Sequence, residues 1–135
     1  MNIFSCAMVI DDNTMDSVVL DHHLKNNQVA DTVLVFSTAT EALSYFRKKA
    51  SDENLVMPEV IFLDINMPQM NGFEFLDSLN DFLLLTDNKI LVVMITSSDL
   101  PEDKKKAEQY ENVVGYVTKP VMADVFSEAI EKIKK

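Results

Sequence analysis

Glycine is nearly missing from this chain. Gly72 and Gly115 are the only two in 135 residues, which excludes a glycine-rich phosphate loop. Cysteine is rarer still: Cys6 stands alone, so no internal disulfide forms, a usage that fits a reducing compartment. Set in an apolar stretch, it reads as a buried, inert thiol. Positive charge is also scarce, with 12 Lys and Arg against 22 Asp and Glu and a formal net charge of −10. That balance repels phosphate backbones and anionic lipid, so neither nucleic acid nor membrane is expected as a direct partner. Long hydrophobic runs are absent too; Ile90 to Ile95 falls far short of the ~20 residues a membrane span needs. The opening MNIFSCAMVI lacks a basic leader region and runs straight into Asp11 and Asp12. It reads as a first strand rather than a signal peptide, and a cytoplasmic protein is expected.

What is present is 47% hydrophobic and 25% charged, ordinary for a globular domain. A chain this long forms one domain, here residues 1–135, and buries roughly 70% of its unfolded surface. No repeat, low-complexity tract or linker interrupts it. Apolar β-type runs alternate with helical patterns. The strands are expected at Ala7 to Ile10, Val33 to Phe36, Val60 to Asp64, Ile90 to Ile95 and Val113 to Val117. The first helix is expected from an Asn13 cap to about Asn26, with Met15, Val19 and Leu20 facing inward. Thr38 or Thr40 opens the second, which carries Ala42, Leu43 and Phe46. The third begins near Gly72, with Phe73, Leu76 and Leu79 apolar; the greasy segment Phe82 to Leu85 is expected to tuck under the sheet edge. The fourth, Pro101 to Gln109, has almost no apolar residue beyond Ala107. It reads either as a solvated surface helix or as an element that shifts cheaply between positions. The fifth has the cleanest period, through Met122, Val125, Phe126, Ala129, Ile130 and Ile133. Five strands and five helices in strict alternation predict a doubly wound, five-stranded parallel sheet in a flavodoxin-like, three-layer α/β/α fold. The expected strand order is 2-1-3-4-5.

The chemistry collects at the strand ends. The chain is organised around EVIFLDINMPQMNGFEF, in which a continuous apolar run stops at Asp64 and delivers it to the rim of the sheet. The other strands finish at Asp11 and Asp12, at Thr96, and at Lys119 followed by Pro120. In this strand order the first and third strands are neighbours at the topological switch point, which brings Asp12 close to Asp64. Converging carboxylates repel, and proteins answer by protonating one or by binding a cation. Oxygen ligands without histidine or cysteine favour Mg²⁺, with Mn²⁺ as a substitute. Asp12 and Asp64 are the direct candidates, and Asp11 acts through water. A cation beside Asp64 also removes the barrier to an anion attacking a phosphoryl group. Lys119 would then screen the phosphoryl oxygens and Thr96 would donate a hydrogen bond to one of them.

With MVIDDN at 8–13, IFLDINMPQMNGFEFL at 61–76, VVMITSS at 92–98 and GYVTKP at 115–120, the chain resembles the receiver domain of two-component response regulators. The motifs occur in family order, and the likeness covers essentially the whole chain. The resemblance implies that Asp64 accepts phosphate from a sensor histidine kinase or a histidine phosphotransfer protein. It implies Mg²⁺ held by Asp12, Asp64 and the backbone carbonyl of Asn66, with Asp11 in the outer shell. It makes Thr96 and Tyr116 a switch pair and Lys119–Pro120 a cis peptide, and it sets Asn66 and Ser98 beside the line of attacking water. Position 97 carries serine where the family often has alanine or glycine. With no acid or amide at 98, slow to moderate self-hydrolysis is expected. With no further domain after Lys135, output is expected through a downstream protein on the face of the fourth helix, fifth strand and fifth helix. Such a protein is a phosphorylation-driven binding module rather than an enzyme, and a monomer or a phosphorylation-dependent dimer.

Plainer readings compete. Asp11 and Asp12 alone could cap a helix, Lys119 alone is usually solvated, and Tyr116 could be strand packing. His22 and His23 are adjacent, point apart on a helix and cannot chelate together. A haloacid-dehalogenase-type phosphatase places its nucleophile on the first strand with a second aspartate two residues later, whereas residue 66 is Asn. A flavodoxin-like electron carrier is disfavoured by the acidic loop after the first strand, which would repel a flavin phosphate. A receiver that no longer accepts phosphate is disfavoured by the complete residue set.

Overall fold

A computed structural model describes residues 2–86, 88–97 and 100–133. Strands β1 (Phe4–Ile10), β2 (Ala30–Phe36), β3 (Val60–Asp64), β4 (Leu91–Thr96) and β5 (Val113–Thr118) alternate with helices α1 (Thr14–Asn26), α2 (Ala39–Ser51), α3 (Gly72–Leu83), α4 (Pro101–Glu108) and α5 (Ala123–Ile133). All pairings are parallel, in the order β2-β1-β3-β4-β5. The α/β/α fold is therefore as predicted. All five residues of β3 are buried, as expected of a central strand with helices on both faces.

Two apolar layers flank the sheet. On one side α2, α3 and α4 contribute Phe46, Phe75, Leu76, Leu79 and Ala107 against Met8, Ile61 and Met94. On the other, Leu20 and Leu24 of α1 and Phe126, Ile130 and Ile133 of α5 cover Val9, Phe62 and Ile95. Side-chain caps set three helix starts: Asn13 Oδ1 accepts from the Asp16 amide at 3.0 Å, Thr38 Oγ1 from Glu41 at 3.1 Å, and Asn71 and Glu74 form a reciprocal capping box. Each such cap contributes about 1 kcal/mol.

Differences from the predicted boundaries have physical reasons. β1 and β2 begin about three residues early because Phe4 pairs with Ala30 and Cys6 with Thr32; ladder pairing continues where apolar runs do not. In α1 the inward row is Ser17, Leu20 and Leu24. Leu20 faces inward as predicted, but Met15 is 71% and Val19 40% exposed. Leu20 and Leu24 pack into the core, and Ser17, buried in the same row, donates its hydroxyl to Asp11 O at 3.5 Å. In α5 Phe126, Ile130 and Ile133 are buried, whereas Met122 and Val125 face outward. The segment Phe82 to Leu85 is only half tucked in. Phe82 reaches Phe46, ring to ring, at 5.8 Å, but Leu84 and Leu85 are 82% and 87% exposed because the chain turns away once α3 ends.

Helix α4 starts at Leu100–Pro101 without a side-chain cap and buries only Ala107. Its far end is fastened to α3: Tyr110 stacks on Phe73 at 6.2 Å and donates to Asp77 Oδ1 at 2.8 Å, and Lys106 lies 4.6 Å above the Phe73 ring. Strand β5 carries a register shift: Val113 pairs with Val92, but Gly115 pairs with Val93.

Candidate functional site

The polar groups predicted at the strand ends meet on one rim. Ile10 is in register with Leu63, so the residues that follow, Asp11 and Asp64, emerge side by side. Asp11 and Asp64 are 2% and 4% exposed, whereas Asp12 lies in solvent. The two buried carboxylates are held locally: the Asn13 N–H donates to Asp11 Oδ1 at 2.9 Å and the Asn66 N–H to Asp64 Oδ1 at 3.3 Å. After β3 the chain curls back on itself, with Gln69 at φ 68° and the Gly72 amide donating to Ile65 O at 2.8 Å. Gly72 lies so close to the strand end that a Cβ there would sit 2.5 Å from Asp64 O.

Lys119 closes the site from the end of β5. Its amide donates to Thr96 O at 2.7 Å, which ties it to the end of β4, and the Lys119–Pro120 peptide is cis, as the resemblance implied. The ammonium lies 2.9 Å from Asp11 Oδ2, 2.9 Å from Asp16 Oδ2 and 3.6 Å from Asp64 Oδ2. At Asp11 Oδ2 the contact is an ion pair without hydrogen-bond alignment. Thr96 is fully buried at the end of β4. Tyr116 is half-buried and packs with the α2–α3–α4 layer. Asn66 is exposed beside Asp64. Ser98 lies outside the described residues. His22 is exposed, while His23 stacks on Phe126 at 5.3 Å with Nε2 3.1 Å from Val121 O; neither approaches the acids.

The electrostatics follow from this crowding. Burial pushes the Asp64 carboxyl up to about 7, helped by the neighbouring Asp11 charge and opposed by Lys119 and the Asn66 amide. Burial also opposes the charge on Lys119, yet the close contacts with Asp11 and Asp16 and the field of Asp64 outweigh it, so its pKa stands above that of an ordinary lysine. One oxygen each from Asp11, Asp12 and Asp64 lies within 4.8 Å of the others. Such a set of hard anionic oxygens, without His or Cys, suits a divalent cation of the Mg²⁺ type. Like charges this close cost on the order of 4 kcal/mol per pair at an effective dielectric near 20, and a cation would remove that penalty.

Asp16 is the residue that sequence reasoning missed. An acid in the first turn of a helix looks like ordinary complement to the helix dipole, and that reading hides its partner. The available signal was position: Asp16 lies one turn beyond Asp12, at the start of a helix that begins on the rim.

No helix among the described residues is long and apolar enough to cross a membrane. The chain is similar to "Response regulator Rcp1" of Synechocystis sp., 24% identical over 112 residues, which cover 83% of this chain and 74% of that one. It superposes on a two component response regulator from Cytophaga hutchinsonii with a TM-score of 0.82 at 25% identity, covering 98% and 97% of the two chains. It also superposes on the bacteriophytochrome response regulator AtBRR with a TM-score of 0.73 at 31% identity, covering 96% and 92%. The model of the response regulator receiver domain matches residues 7–131. On that match and this fold, the chain belongs to the response regulator receiver domain family.

Proposed function

We propose that this receiver domain is a phosphoacceptor switch in which Asp64 takes a phosphoryl group from a phosphohistidine. The observation that carries the proposal is the placement of Asp64, 4% exposed, between Asp11 and Lys119 at the end of a central strand. An Asp64 oxygen attacks phosphorus, the P–N bond breaks, and the imidazole of the donor leaves with the bonding pair and takes up a proton. Lys119 holds positive charge beside the transferring group, and buried Thr96 supplies a hydroxyl at the neighbouring strand end. Asp12, Asp64 and the Asn66 carbonyl would hold Mg²⁺ (or Mn²⁺), with Asp11 behind them; bound there, the cation supplies charge neutralisation at the phosphoryl oxygens. The chain catalyses only its own phosphorylation and dephosphorylation, with Asn66 and Ser98 tuning the latter.

The donor is a sensor histidine kinase or a histidine phosphotransfer protein, in the cytoplasm. Phosphorylation draws Thr96 inward and opens space for Tyr116. Helix α4, with one buried residue and no side-chain cap, then shifts and changes the α4–β5–α5 face for a downstream protein or a second copy. Couplings of this kind are worth ~1–3 kcal/mol. Incubation with acetyl phosphate and Mg²⁺ should add one phosphoryl group by intact mass, and Asp64→Asn should abolish it. Labelling that survives Asp64→Asn, or needs no divalent cation, would refute the assignment.

A further inference from the structure

The least expected contact on the rim joins Lys119 to Asp16. The ammonium has three protons and three carboxylates around it, but the distances are unequal: 2.9 Å to Asp11 and Asp16 against 3.6 Å to Asp64. The pair with the phosphoacceptor is thus the longest of the three ion pairs that Lys119 makes. Both ends of the Asp16 bridge are anchored. The Asp16 amide is bonded to the Asn13 cap at 3.0 Å, and the Lys119 amide is bonded to Thr96 O at 2.7 Å. The bridge therefore holds the lysine by its tip from the first turn of α1.

We propose that Asp16 is a positioning residue that restrains phosphorylation by holding Lys119 back from Asp64. The proposal rests on the reading of Asp64 as phosphoacceptor. A phosphoryl oxygen on Asp64 would compete with the Asp16 carboxylate, at 2.9 Å, for the Lys119 ammonium. Asp16 also adds negative charge near the site at which a phosphoryl dianion arrives. Both effects oppose uptake, and neither is needed to fold the rim, since the Asn13 and Asn66 amides already donate to the Asp11 and Asp64 carboxylates. The Asp16 side chain is 36% exposed, so solvent screens it and the restraint is modest.

The test compares the 135-residue wild type with Asp16→Asn and Asp16→Glu in saturating Mg²⁺. Asp16→Asn should take up phosphate from acetyl phosphate about fivefold faster and bind beryllofluoride about fivefold more tightly. Asp16→Glu, which restores the charge, should return both toward wild type. A merely structural acid at a helix start would change stability without raising either. In metal-free protein, the Lys119 ammonium protons, followed by ¹⁵N NMR, should exchange with water faster in Asp16→Asn. Rates and affinities that are unchanged or lower in Asp16→Asn overturn the proposal. A wild type that takes no label overturns the phosphoacceptor reading and this inference with it; a wild type that labels at Asp64 while Asp16→Asn matches it overturns the inference alone.

Discussion

Replacing Gly72 with alanine sets two physical effects against each other. Gly72 is the first residue of α3, and by helix propensity alone alanine there should stabilise by up to ~1 kcal/mol. The added Cβ, however, would land 2.5 Å from Asp64 O, 2.9 Å from Ile65 Cα and 3.2 Å from Asp64 C. All three are backbone atoms at the end of a buried strand, so they cannot rotate away. Overpacking of this kind costs ~1–3 kcal/mol, sometimes more, and outweighs the propensity gain; we expect a net loss of about 2 kcal/mol. With an unfolding entropy of ~2.1 cal/mol/K per residue, a domain of this size loses about 7 °C in Tm. Thermal unfolding by circular dichroism reads this directly. Gly115→Ala is the control, because its Cβ would meet only the Val93 side chain, at 3.3 Å, and the expected loss is under ~1 kcal/mol. Whatever relief the chain finds in Gly72→Ala must move the Asp64 peptide, so acetyl phosphate labelling should slow as well. An unchanged or higher Tm for Gly72→Ala would show that this contact places no constraint on the strand end.

Asp64, raised to about 7 from 3.8, keeps its proton in the folded state where the unfolded chain has released it. In metal-free protein, stability should therefore fall as pH rises from about 4 through about 7. Urea midpoints across that window should fall in wild type, flatten in Asp64→Asn, and recover on adding Mg²⁺ at the alkaline end. Burial and the bond to Asp77 push the Tyr110 phenol up to about 12, and burial also raises Tyr45, so spectrophotometric titration should show two tyrosines ionising late, of which Asp77→Asn should bring only one earlier. Tyr110→Phe should cost about 1 kcal/mol in a denaturant titration and speed amide exchange in α4. Phe46, 1% exposed and in contact with the Phe75 and Phe82 rings, should cost ~3–5 kcal/mol when cut to alanine.

The fold was legible because apolar runs in a parallel sheet are continuous and stop where the chain meets the rim. Val60 to Leu63 followed by Asp64, and Ile90 to Ile95 followed by Thr96, announce both the strand and the polar residue at its rim end. Helix rotation was harder to read. Helix α1 carries apolar residues at 15, 18, 19, 20 and 24, which together spread around its circumference, and only Leu20 and Leu24, one turn apart, mark the buried side. The leucine pair is the one hydrophobic signal of that face, and Ser17 extends it without being apolar. The acidic triad was legible from topology, since adjacency of β1 and β3 brings distant residues together. The resting position of Lys119 was not, because it depends on a carboxylate one helical turn beyond the motif, and local sequence explains that carboxylate adequately as part of a helix start.

The slipped register in β5 has a bearing on the aromatic at position 116. In an unbroken strand, residues three apart project on opposite faces, yet Val113 and Tyr116 both join the layer containing α3 and α4. The extra residue between the pairs Val92–Val113 and Val93–Gly115 reverses the alternation, so Tyr116 stands opposite Met94 rather than Ile95. Were Val114 to pair with Val93 instead, Tyr116 would fall opposite Ile95 and turn toward α5, because a one-residue slip exchanges the faces of every residue after it. One unpaired residue at the sheet's margin thereby decides which layer of helices this ring touches.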